Sequence, residues 1–256
     1  MRAKHLKEKF VLSRQYASFV LIGLAYLLSC LDVINVKIDD VFITLRYARN
    51  LLNGNGLVFN IGERVEGFSN PTWLLLVACL AKISGLTGHF SMFYLAKVLG
   101  FFFGFLNLLI FLRVMKETDN HIEVTWALLF LIAINPFLNT YNVSGLENPF
   151  VNFLLALVIL FYLRLMKKQR VVDSIALSAT LGILSVSRPE GIIYPISIYV
   201  GVYFLQKVSK IKVARNLWLS VLITFAILLG FMLFRWFYYN DILPNTVYAK
   251  IGRAHV

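Results

Sequence analysis

Seven long apolar stretches run through this chain, far more than one soluble core could absorb, and they leave little choice of fold. They cover residues 16–36, 90–112, 124–138, 149–166, 171–186, 192–205 and 217–237. A helix needs about 20 apolar residues, roughly 17 at the low end, to cross the hydrocarbon layer of a bilayer. Inside lipid the backbone must satisfy its own hydrogen bonds, so such runs adopt helices. At 59% hydrophobic and 15% charged residues, the whole chain lies outside the range of soluble domains. The expectation is an all-α polytopic membrane protein with about seven transmembrane helices. The first run meets no small-residue cleavage site before Lys37, so it reads as a retained anchor and not as a removed signal peptide.

An eighth run, 71–84, is short enough to lie at the interface. Charge decides its placement. If it does not cross, the basic clusters at 2–14, 113–116, 164–170 and 207–215 share one side, which the positive-inside rule makes cytoplasmic. If it crosses, the last three clusters change sides. The run is therefore read as a juxtamembrane helix at the outer face of a bacterial-type cytoplasmic membrane, with the N-terminus cytoplasmic. Asp32, Asp39, Asp40, Glu63, Glu66, Glu147, Glu190 and Asp241 then gather toward the outer face. The net charge of +12 is explained by short loops touching anionic lipid headgroups, with no nucleic-acid partner. Cys30 and Cys79 both sit in apolar runs, where a thiol behaves as a small buried hydrophobe. The four histidines share no metal-ligand spacing, and there is no glycine-rich phosphate loop.

The polar chemistry begins in the first outer loop. In DDVFITLRYARNLLN, Val41, Leu45, Ala48 and Leu52 form one apolar stripe, opposite Asp39, Ile43, Arg46 and Asn50. This spacing predicts an amphipathic helix in the headgroup plane, ended by Gly54-Asn55-Gly56. Two readings stand for Asp39 and Asp40 in its first turn. They are ordinary caps favoured by the helix dipole, or a carboxylate pair suited to a general base or a shared divalent cation, Mg or Mn. Glu147, in SGLENP, is either an N-cap substitute ahead of Pro149 or a functional carboxylate at the membrane boundary. In SRPEG, Arg188 either pairs with Glu190 or offers its fork to a lipid-linked phosphate. Glu63, Arg64 and Glu66 read as substrate contacts or as solvated turn residues. The aromatics of 235–241 read as an interfacial anchor.

Taken together, DDVFITLRYARNLLNGNGLVFN, GERVEGFSNPTW, SGLENP, SRPEG and LPNTVYAK resemble the GT-C superfamily of membrane glycosyltransferases, which use polyprenyl-phosphate sugars. The resemblance is to bacterial arabinofuranosyl- and mannosyl-transferase-like members, and more distantly to lipid A aminoarabinose transferases and protein O-mannosyltransferases. It implies a GT-C-like module over 1–250, with an outer catalytic loop at 37–89. It also implies inverting transfer from a polyprenyl-phosphate sugar to a hydroxyl of a glycan, lipid or protein acceptor. Asp39 or Asp40 would be the general base or a ligand for an optional metal ion. Arg188 would hold the donor phosphate, and Glu147 sits where related enzymes place an acidic residue near the acceptor; Arg46 and Glu190 are further candidate substrate-binding residues of this chain. Family members usually continue with further helices and an outer domain, so the C-terminal part of the family is expected to be missing. Residues 251–256 read as a non-native tail. Two rivals remain. A transporter or flippase of lipid-linked sugars predicts charges within spans, of which Lys97 is the clear case. An inactive scaffold subunit predicts tolerance of neutral replacements at the aspartate pair.

Overall fold

The computed structural model describes residues 2–118, 121–209 and 217–250. Every regular element among them is helical: α1 (Arg2–Asp32), α2 (Asp40–Leu52), α3 (Pro71–Ser84), α4 (His89–Glu117), α5 (Ile122–Ala133), α6 (Pro136–Asn142), α7 (Asn148–Lys168), α8 (Val171–Ser187), a 3-10 turn (Pro189–Ile192), α9 (Ile193–Ser209), α10 (Leu217–Tyr239) and α11 (Asn245–Lys250). Side chains of 2–14 lie outside the description, as do Lys210, Lys212, Arg215 and the 251–256 tail.

By length and apolarity, four helices reach across a membrane: α1 from Gln15, α4, α7 and α10. A fifth span results if α5 and α6 are taken together, although they bend by 62°. The expected count of about seven is therefore not reached by this measure. The apolar run 124–138 is broken for a clear reason. Pro136 has no N–H with which to continue α5, and the Asn135 side chain accepts from the Leu138 N–H to start α6 afresh. The helices α8 and α9, at 17 residues each, stand at the low end of crossing length.

The bundle core runs from α4 to α7, α7 to α8 and α8 to α10. Glycine permits the close approaches. A Cβ on Gly104 would collide with Tyr26 and Asn142, and one on Gly182 would collide with Ile227. Outward, α4 presents Phe90, Tyr94, Val98 and Phe102 at four-residue spacing, all exposed. Such a stripe suits lipid and not water, and with the apolar helices it marks a membrane protein.

The α2 stripe folds as expected. Val41, Leu45 and Ala48 are buried against Trp73, Leu74, Val77 and Ala81 of α3 and against Met92, Phe93 and Ala96 of α4. On α3, however, Cys79 is exposed, so only Cys30 behaves as a buried hydrophobe. Lys97 is also accounted for locally: its Nζ donates to the carbonyls of Ile34 and Val36, at 2.5 and 3.1 Å, in the turn that follows α1.

Charge separates the two ends of the bundle. At the C-terminal ends of α4 and α7, Glu117 pairs with Arg164 and Lys168 at 3.0 and 3.8 Å, and Arg170 pairs with Asp173 at 2.8 Å. At their N-terminal ends, α2, the start of α3, the 144–148 junction and the end of α8 converge. That convergence builds the site.

Candidate active site

A cavity of about 410 Å³ lies where these segments meet. Asp40, Thr44, Asn70, Glu147, Asn148 and Arg188 are part of its polar wall. Each is positioned by local structure. Asp39 is the N-cap of α2, its Oδ1 accepting from the Asp40 N–H at 3.2 Å. Asp39 is not part of the cavity wall. Asp40 opens the helix and lines the cavity, and its carboxylate makes no hydrogen bond or ion pair among the described residues.

The 144–148 junction turns through Gly145 at φ +90°, a left-handed conformation that favours glycine, beneath the Val41 side chain. The Trp73 indole donates to the Gly145 carbonyl at 2.9 Å and holds that turn against α3. It delivers Glu147 to the cavity nearly fully buried. Although Glu147 stands at the N-cap of α7, its side chain makes no cap bond. Instead Oε1 accepts from Arg188 Nη1 at 2.8 Å and Oε2 accepts from Asn70 Nδ2 at 2.8 Å. Asn70 in turn accepts from the Thr44 hydroxyl at 3.1 Å. A buried carboxylate is stable only when its oxygens are matched by donors, and here both are.

Arg188 ends α8 and lies between two carboxylates. Nη1 binds Glu147 and, at 3.2 Å, Asn148; Nε binds Glu190 at 2.5 Å. Its Nη2 makes no hydrogen bond among the described residues. The side chain is 31% exposed, against 47% for Glu190, which does not line the cavity. Mutual pairing of Arg188 and Glu190 is thus realised, and it leaves Nη2 of this cavity-lining residue without a partner among the described residues.

Arg46 is not in this wall. Its Nε donates to the Phe59 carbonyl and its Nη2 to Asn60 Oδ1, both at 3.0 Å, with the guanidinium 4.0 Å over the Phe59 ring. It braces the 58–60 loop and faces a different cavity. Glu66, open in sequence to a substrate or solvent role, has neither. It is buried against Arg235, whose Nε and Nη2 donate to Oε1 at 3.1 and 2.8 Å. Burial pushes the Glu66 carboxyl above the ordinary carboxylate range, although the Arg235 hydrogen bonds pull it down. In the aromatic run, Trp236 and Phe237 point outward as an anchor would. Tyr238 instead accepts from the Leu57 N–H, and Tyr239 donates to the Leu57 carbonyl, both at 2.9 Å.

No group of three or more His, Cys, Asp or Glu side chains among the described residues converges as a metal cage. Of the aspartate pair, Asp40 lines the cavity and Asp39 does not. Asn70 and Thr44 were not singled out from sequence. Asn70 directly precedes Pro71 and reads as a helix cap, yet it makes no cap bond and reaches Glu147 across 77 residues.

No family model and no solved structure matches the chain. Over 226 residues, 83% of its length, it is 28% identical to a terminal β-(1→2)-arabinofuranosyltransferase of Mycobacterium tuberculosis, of which it covers 34%. A protein of the same description from Corynebacterium glutamicum is 48% identical over 46 residues, which is 18% of this chain and 7% of that protein. The chain spans about a third of the length of the first of these relatives. It is thus a helical membrane protein similar in sequence to arabinofuranosyltransferases.

Proposed function

We propose that this chain is the membrane module of a GT-C-type glycosyltransferase. It moves a sugar from a polyprenyl-phosphate donor to an acceptor hydroxyl at the outer face of a bacterial-type cytoplasmic membrane. The observation that carries the reading is that one cavity is lined both by Asp40, whose carboxylate has no partner among the described residues, and by Arg188, whose Nη2 has none. Similarity to arabinofuranosyltransferases supports arabinofuranose as the sugar and a glycan hydroxyl as the acceptor.

The chemistry follows from the two groups. The acceptor oxygen attacks the anomeric carbon as its proton passes to Asp40. The bond from that carbon to the phosphate oxygen breaks, and its electron pair leaves with the lipid phosphate. Arg188 Nη2 donates to the phosphoryl oxygens as their charge grows. Attack opposite the leaving group inverts the anomeric centre. Glu147 and Glu190 fix the guanidinium, and Asn70 fixes Glu147. No step is routed through Mg or Mn.

In this reading α8, α9 and the bent α5–α6 pair complete seven spans, and the basic end around Glu117 faces the cytoplasm. A transporter has less support, because Lys97, the charge it would need in a pathway, is engaged by the carbonyls after α1. The test is transfer by the full-length protein from a panel of polyprenyl-phosphate sugars, read as release of the free polyprenyl phosphate. Transfer from the arabinofuranosyl donor is expected; no transfer from any donor would contradict the proposal.

A further inference from the structure

Ile43 also forms part of the wall of a second, larger cavity of about 770 Å³, so the two hollows adjoin across α2. Arg46, Arg49, Asn50, Asn60 and His89 line the larger one, and no carboxylate does. Arg46 and Asn50 are engaged with the 58–60 loop and serve as walls. Arg49 is exposed and its side chain makes no hydrogen bond or ion pair among the described residues. The His89 ring stacks on Phe42 at 5.3 Å, and its nitrogens make no hydrogen bond there either. A guanidinium without a counter-ion, in a hollow without acids, selects an anion. His89 is the first residue of the 29-residue α4, whose dipole adds positive potential at that end.

The surroundings say what bears the anion. Directly along α4 from His89 runs the exposed ridge Phe90, Tyr94, Val98 and Phe102. Tyr94 and Val98 also line a mainly apolar cleft of about 350 Å³ that includes Leu27 and Leu31 of α1, with Lys37 and Lys97 on its wall. A cationic pocket at the head of a hydrocarbon track fits an amphiphile with a phosphate head.

We propose that Arg49 and His89 form a site for the phosphate of a membrane lipid, whose hydrocarbon chain lies along the Phe90–Phe102 ridge of α4. This site is separate from the Asp40–Arg188 cavity and stands whether or not that cavity transfers sugars. Phospholipid and polyprenyl phosphate share the recognised group, and the experiment distinguishes them.

The test is native mass spectrometry of the detergent-solubilised full-length protein, titrated with phosphatidylglycerol, phosphatidylcholine and polyprenyl phosphate. The polyprenyl phosphate arm is run in the Arg188→Gln background, so that the other phosphate site does not contribute. Retention of the anionic lipid should fall about fivefold in Arg49→Gln and further in Arg49→Gln/His89→Gln, and Arg49→Lys should restore most of it. A fall with phosphatidylglycerol identifies a phospholipid site, and a fall with polyprenyl phosphate alone identifies a prenyl lipid site. Equal retention by the unmutated and doubly substituted proteins, or no preference over phosphatidylcholine, overturns the proposal. A photoreactive phosphatidylglycerol and a photoreactive polyprenyl phosphate, applied to the protein without Arg49 or His89 substitutions, supply a check independent of any variant's folding. One of them should crosslink around residues 42–49 and 89, and crosslinking by both only elsewhere would also overturn it.

Discussion

Two arginine–glutamate pairs at the same end of this bundle use the same chemistry for different ends. Arg235 and Glu66 are 11% and 3% exposed, and two guanidinium nitrogens donate to the same carboxylate oxygen. Together with Tyr238 and Tyr239, the pair ties the 53–70 loop to α10. Arg188 is 31% exposed, is shared by Glu147 and Glu190, and lines a cavity that Asp40 also lines. A sealed ion pair can only hold structure, whereas one at a cavity wall can also meet a ligand. Exposure and position at the cavity wall, not residue type, separate them.

The comparison breaks most clearly on the two arginines. Arg235→Gln should destabilise the protein by about 3–5 kcal/mol, because Glu66 is left buried without its partner. Turnover per folded molecule should stay near the native value. Arg188→Gln should lower turnover by about 10²–10³-fold in molecules that remain folded. Thermal unfolding in detergent, paired with transfer assays on the folded fraction, reads both. Comparable losses of turnover in the two variants would erase the distinction.

Glu147→Gln sharpens it further. The buried network keeps a hydrogen-bond acceptor, but Arg188 loses the charge that holds Nη1. Turnover should fall by about tenfold, near the 1.4 kcal/mol that one charge-assisted bond contributes beyond a neutral one. Glu66 offers a smaller test through pH. Burial raises its folded-state pKa, nearby Asp241 adds to the rise, and Arg235 opposes it. For a carboxyl so raised, the stabilising contribution is full below the unfolded value and is lost as pH rises through the folded value. Melting temperature should therefore decline over that window in the native protein more than in Glu66→Gln. The smallest effect belongs to Tyr238→Phe, which orphans the Leu57 N–H and should cost about 1 kcal/mol with no loss of turnover.

Much of this was legible in the chain because it is local. The α2 stripe needs only a period, and α3 needs only Pro71 and an apolar run of limited length. The gathering of SGLENP, SRPEG and the first outer loop at one end followed from counting helices and charges. The break between α5 and α6 was written in Asn135-Pro136, a helix-stopping pair hidden by the apolar run around it. The Glu66–Arg235 pair was not legible, since 169 residues separate the partners and each alone resembles an ordinary loop or border charge. The same holds for Asn70, whose neighbour Pro71 suggests a cap while its amide serves Glu147. Arg46 shows the converse: a cation on the polar face of an amphipathic helix looks free in sequence, yet the loop it braces lies 13 residues ahead.

The central claim rests on Asp40 as the group that takes the acceptor's proton, beside an Asp39 that does not line the cavity. Transfer from polyprenyl-phosphate arabinofuranose should be timed for the native protein, Asp39→Asn and Asp40→Asn at matched folded concentration. Asparagine caps a helix about as well as aspartate, so Asp39→Asn should stay within a few-fold of native. Asp40→Asn should lose about 10²–10⁴-fold. Native-like turnover in Asp40→Asn, or an equal loss in both variants, would contradict the account.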